Sequence, residues 1–186
     1  MAQLFSIRMK RLGVLTVSRL ELIIFLLLVG ALGGACLYLR SSLQPPRESK
    51  LIASFNGHRP AFERLREMLL EDQQLSYVAI WGVMTKESGA ITPHGHVSID
   101  RYNEYLALFG ETGGRMAYRK EGTIADVSIE MWVSGFGGDT RHVAICWKDR
   151  EPANQVASLK DFYSSPEPRT PVFRHIDGNW FLWADW

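Results

Sequence analysis

The hydrophobic residues of this chain are distributed very unevenly. From Leu22 to Leu39 it reads LIIFLLLVGALGGACLYL, a run without a charge or a strongly polar side chain. A helix needs roughly 20 apolar residues, at about 1.5 Å each, to cross a hydrocarbon core about 30 Å thick. The run shows no polar face, as a helix buried in a globular core would, and Arg19 and Arg40 can snorkel at its ends. The pattern predicts a single transmembrane helix over 20–40, with a tail over 1–19, a linker over 41–49 and one domain over 50–186. In the linker, SSLQPPRES, the proline pair favours an extended spacer.

Beyond the linker the period changes. Leu51, Phe55, His58, Phe62, Leu65 and Leu69 recur at helical spacing as one apolar stripe, with Glu63, Arg64, Arg66, Glu67 and Glu71 on the other faces. Pro60 implies a kink there, or two helices separated at Asn56-Gly57. The stripe places His58 against the core as a structural histidine. Tyr77–Met84 is rich in β-branched and aromatic residues and reads as a strand. Ser98 can cap a helix over Ile99–Phe109. Strands are expected over 115–119, 124–134 and 141–148, the last two joined by a hairpin through the glycine-rich turn 135–140. Asp177-Gly178, between VFRHI and NWFLW, signals a closing hairpin. A two-residue turn there pairs His175 with Trp180 and Phe173 with Leu182 on one face, leaving Arg174, Phe181 and Trp183 on the other. Strands joined by hairpins, with helices grouped early, define an α+β domain: an antiparallel sheet of about five strands packed by one or two helices.

Charge bears on partners and orientation. From Ser41 onward there are 16 Lys and Arg against 19 Asp and Glu, a net of −3 and no footprint for nucleic acid. The short tail carries Arg8, Lys10, Arg11 and Arg19, while Arg40, Arg47 and Lys50 follow the apolar run. A short basic tail resists translocation. This places the N-terminus inside and the domain outside the cytoplasm, as a single-pass protein of a cell inner membrane that contacts the lipid through residues 20–40. The two cysteines, Cys36 in the apolar run and Cys146 in the domain, are not expected to pair.

Three readings of the N-terminus compete. An uncleaved signal anchor requires nothing further. Gly33-Gly34-Ala35-Cys36 resembles a lipobox, although Gly33 stands where an aliphatic residue is usual and the apolar run continues past Cys36. Residues 17–39, opening Val17-Ser18-Arg19-Leu20-Glu21-Leu22, resemble a type IV prepilin leader. That resemblance implies cleavage after Thr16 and a role for Glu21 in subunit registration, although Thr16 replaces the usual glycine. The segment FNGHRPAFERLREMLLED (Phe55–Asp72) and the aromatic ending HIDGNWFLWADW resemble small bacterial proteins with a membrane or lipid anchor. This likeness implies an envelope setting and supplies no activity.

No segment carries a strong catalytic signature. His94 and His96, one residue apart, could share a metal if they lay on a strand, with Asp100 or Glu87 as a third ligand, but no second ligand cluster follows. Without such a cluster no metal is assigned, and no cofactor is implied. His142 and Cys146 share a strand face, but four residues span about 13 Å there, too far for a thiol–imidazole pair. Gly135–Asp139 is followed by a strand where a phosphate loop needs a helix. The aromatic residues are more suggestive. All six tryptophans lie in the domain, and Trp132, Arg174, Phe181 and Trp183 form the candidate binding patch, suited to a protein or glycan partner through stacking and cation–π contacts. The leading expectation is a membrane-tethered, non-enzymatic interaction domain. A pseudopilin-like secretion or pilus subunit and a small hydrolase or metal-binding enzyme are the alternatives.

Overall fold

The computed structural model describes residues 19–95, 97–119, 126–136, 139–164 and 170–186. The expected tail, with Thr16 and Val17-Ser18, lies outside them except at Arg19. The chain divides into two compact units, Met1–Ser41 and Ser42–Trp186.

The apolar run forms helix α1, Arg19–Leu43. Among the described residues no helix is long and apolar enough to cross a membrane. This overturns the expected single-pass span and signal anchor, and with them the placement in an inner membrane. Only residues 23–34 of α1 have described side chains, fewer than the roughly 20 apolar residues that a span needs.

The second unit is α+β, with a larger sheet than expected. Among the described residues its eight strands are β1 (Leu75–Ala79), β2 (Gly82–Thr85), β3 (Ile91–Thr92), β4 (Met116–Arg119), β5 (Val127–Phe136), β6 (Asp139–Trp147), β7 (Val172–Asp177) and β8 (Trp180–Asp185). They run antiparallel in the order β3-β2-β1-β4-β5-β6-β8-β7. The expected strand over Tyr77–Met84 is instead a hairpin, β1 and β2, turning at Ile80-Trp81. The reversal sits inside a continuous apolar run, so no polar residue marks it. Gly82 has a φ of 144°, and a Cβ there would lie 2.5 Å from the Thr92 carbonyl oxygen, so only glycine lets β3 approach this closely.

Helices α2 (Glu48–Gly57), α3 (Arg59–Glu71) and α4 (Ile99–Thr112) pack on one face of the sheet, and a short α5 (Lys160–Tyr163) follows β6. The first two are separate helices. Pro60 sits in the first turn of α3, where no backbone N–H is required, and α2 ends just before it. His58 is therefore a junction residue, exposed, with Nδ1 3.1 Å from the Ser54 carbonyl oxygen. This corrects its expected burial, because the break between the helices rotates the stripe away from position 58. Leu51 and Phe55 of α2, Phe62, Leu65 and Met68 of α3, and Tyr105 and Phe109 of α4 meet Val78, Ala117, Ile129, Val143, Ile145, Trp180 and Leu182 of the sheet in one core. At its edge Arg101 ties α4 to the end of α3, with Asp72 at 2.9 Å and Glu71 at 2.6 Å, while Tyr105 donates to Asp72 at 2.9 Å.

Ser98 caps α4 as its sequence predicts. Its Oγ accepts from the Arg101 amide at 3.1 Å, and Gly113 closes the other end in the left-handed conformation. Ser98→Ala should cost about 1 kcal/mol in urea denaturation, and Ser98→Asp should restore it.

The closing hairpin is shifted by one residue from its expected register. Asp177 pairs with Trp180, so Gly178 and Asn179 form the turn. Gly178 has a φ of 54° and among the described residues no non-glycine residue has a positive φ, which matches a type II′ turn with glycine first. Beyond an irregularity between His175 and Asp177, His175 faces Phe181, Arg174 faces Leu182 and Phe173 faces Trp183.

Candidate ligand pocket on the outer face of the sheet

Cross-strand partners share a face, so the registers assign every side chain of the sheet to one side or the other. The helix-facing side takes Trp180, Leu182 and Ala184 of β8 with Trp147, Ile145 and Val143 of β6. The outer side takes Phe181, Trp183 and Asp185 with their β6 partners Cys146, Ala144 and His142, and then Ser128 and Glu130 of β5 and Tyr118 of β4.

This assignment splits the expected patch. Phe181 and Trp183 do lie on the outer face. Phe181 is buried beside Cys146, with the His175 ring edge-on at 5.3 Å. Trp183 is half-buried and stacks on the His142 ring, with centroids 6.2 Å apart. Arg174 turns to the helix side and pairs with Glu48 at the start of α2, because the register shift exchanges its face with that of Phe173. Trp132 also leaves the patch. The irregularity in β5 between Glu130 and Trp132 pairs Trp132 with Val143 on the helix side, 6.4 Å from the Trp186 ring.

Glu130 keeps the outer face that alternation gives it. Simple alternation puts this carboxylate on a solvent face, yet it is only 2 % exposed and lies 2.7 Å from Nδ1 of His142. The hydrogen bond to Glu130 raises the His142 pKa above its ordinary value against the opposing effect of burial, with further help from the charges of Glu130 and Asp185. A second pair, Lys148 Nζ to Asp126 Oδ2 at 2.9 Å, sits at the far end of the face, with the ammonium 5.2 Å from the Phe173 ring centre.

Between these pairs lies a pocket of about 470 Å³, walled by Tyr118, Phe173 and Trp183 and edged by Ser128, Lys148, Asn154, Pro171 and Asp185. Its size is within the range of small-ligand sites. Burial raises the Tyr118 hydroxyl well above the usual phenol range, and its hydrogen bond to Ser128 opposes the rise only in part. Of the pocket residues, only Trp183 is among those expected from the sequence. Phe173 was expected among inward-facing residues. Tyr118, Ser128 and Asp185 belong to strands whose order only the sheet topology reveals.

The remaining candidates are not brought together. His94 lies in the turn after β3, and the adjacent Gly95 has a φ of 53°, so the strand geometry that would aim His94 and His96 the same way is absent. His96 lies outside the described residues. Among the described residues no three His, Cys, Asp or Glu side chains are grouped to hold a metal. Cys146 is fully buried, with its Sγ 3.5 Å from the Phe181 carbonyl oxygen, and burial pushes its thiol up to about 12, far from a nucleophilic thiolate. β5 and β6 pair as expected, but Gly135, Phe136, Asp139 and Thr140 of the expected turn are strand residues, and Gly137 and Gly138 lie outside the described residues. No protein family, curated protein or solved structure matches the chain.

Proposed function

We propose that this is a recognition domain whose outer sheet face binds a saccharide. The observation that carries this reading is the pocket itself, in which three aromatic rings meet hydrogen-bonding groups in a cavity of about 470 Å³. A sugar ring presents apolar C–H faces and polar edges. Trp183 offers a stacking surface for the former, and Asp185, Asn154 and Ser128 offer partners for the latter. A protein partner fits less well, since Arg174 and Trp132 face the helices and the aromatic surface that remains is concave. Recognition is favoured over catalysis by the protonated, buried Cys146 thiol and by a Ser128 hydroxyl engaged with Tyr118 and not with a base.

Titration with trisaccharides of glucose and of N-acetylglucosamine, followed by tryptophan fluorescence, tests the reading. At least one should quench or shift the emission saturably. Trp183→Ala should abolish that response while costing only about 1 kcal/mol of stability. A panel that gives no saturable response at millimolar concentration overturns the proposal.

A small hydrolase is the second reading, favoured by the Glu130–His142 pair. The pair leaves His142 Nε2 without a hydrogen-bond partner among the described residues, as a general base requires. Turnover of p-nitrophenyl glycosides or esters that is lost in His142→Ala would support it over simple binding.

A further inference from the structure

We infer that the saccharide bound in this pocket carries a protonated amine, whose ammonium group sits against Asp185 and the face of Trp183; the inference rests on the saccharide reading above. The first ground is the charge balance of the outer face. Around the pocket three described carboxylates, Asp126, Glu130 and Asp185, meet Lys148 and His142, while His175 lies on the same face opposite Phe181. Lys148 is committed to Asp126 at 2.9 Å and His142 to Glu130 at 2.7 Å. Among the described residues Asp185 has no direct ion-pair partner, although it lines the pocket. His142, opposite it in register, feels the charge of Asp185 but is hydrogen-bonded to Glu130, so around the pocket the carboxylates outnumber the cations even when both are charged.

The second ground is the aromatic wall. A ring face attracts a cation within about 6 Å of its centre. The Lys148 ammonium already lies 5.2 Å from Phe173, so this wall accepts an amine in the folded protein. Trp183 lies two residues before Asp185 on the same strand face and both line the pocket, which brings a second ring together with a carboxylate that makes no direct ion pair among the described residues. An anionic sugar would meet the excess negative charge and be repelled. A neutral sugar would leave Asp185 facing only the His142 imidazolium, which Glu130 already holds. An amino sugar satisfies the ring and the carboxylate together.

Binding of the full chain to the trimer of glucosamine and to the trimer of N-acetylglucosamine should be compared by calorimetry, at low salt and a pH where the sugar amine is protonated. The two probes have the same length and ring and differ in the charged group. The free-amine trimer should bind roughly tenfold more tightly, the difference of about 1.4 kcal/mol that one favourable charge contact supplies. In Asp185→Asn, shown by its melting curve to be folded, the ratio of the two affinities should fall to about one. Equal binding, tighter binding of the acetylated trimer, or a preference that survives in Asp185→Asn would overturn this inference and leave the saccharide reading standing. Binding of neither trimer would overturn this inference, and failure of the glucose trimer as well would overturn the saccharide reading.

Discussion

Trp180→Ala should lower the unfolding free energy by roughly 3–5 kcal/mol, the largest effect of any single side chain considered. The indole is 1 % exposed on the helix side of β8. Its ring centre lies 5.4 Å from that of Phe55 and 6.2 Å from that of Phe62, at interplanar angles of 50° and 74°. These tilted contacts let α2, α3 and the sheet interlock at one point. The indole N–H donates to Glu63 at 2.8 Å, so the polar tip is satisfied at the core margin. Alanine would empty the space between two helices and the sheet and leave Glu63 without its donor. Trp180→Phe separates the two contributions. It retains much of the ring contact and should recover more than half of the loss, the remainder being the hydrogen bond. Urea denaturation of both variants provides the measurement. A loss of less than about 1 kcal/mol for Trp180→Ala would mean that the helices hold to the sheet without this contact.

The contrast between Trp180 and Trp183 was legible in the sequence, because alternation along NWFLW places them on opposite faces wherever the turn falls. The identities of their neighbours were not. A single-residue difference in the turn, Gly178-Asn179 instead of Asp177-Gly178, exchanged Phe173 and Arg174 between the faces. That exchange moved a ring into the pocket and an arginine out of the expected patch. The irregularity at Met131 did the same to Trp132. Register errors invert every side chain downstream of them, so a site assembled from strand faces is the first thing to be lost when turns are placed one residue away. The helix periodicity was more robust. Ser98 capped α4, and five of the six stripe positions Leu51–Leu69 were buried, because a helix face tolerates a break at one position. The β1–β2 reversal had no polar punctuation to reveal it. The Glu130–His142 pair had only a faint signal, a carboxylate and a histidine on the polar positions of two strands already expected to pair.

The second large effect lies at that pair. His142→Ala should cost roughly 2–3 kcal/mol at mildly acidic pH, since it strips a charged hydrogen-bond partner from a buried carboxylate. Glu130 is too enclosed to recover that partner from water. The sign of the pH dependence follows from the direction of the shift. The folded protein holds the His142 proton more tightly than the unfolded chain, so its pKa is raised on folding above 6.5. The charged part of the contribution is therefore fully present below the unfolded value and is lost as pH rises through the folded one. A neutral imidazole can still donate Nδ1–H to the carboxylate, so part of the stabilisation survives at alkaline pH. Urea denaturation of wild type and His142→Ala across this range should show their stability difference shrinking as pH rises, without vanishing. A difference that is flat in pH, or that grows with it, would mean that His142 folds in without gaining a proton. Glu130→Gln separates charge from shape. It keeps an acceptor for Nδ1–H but removes the charge that favours imidazolium, so its stability relative to His142→Ala should vary little with pH.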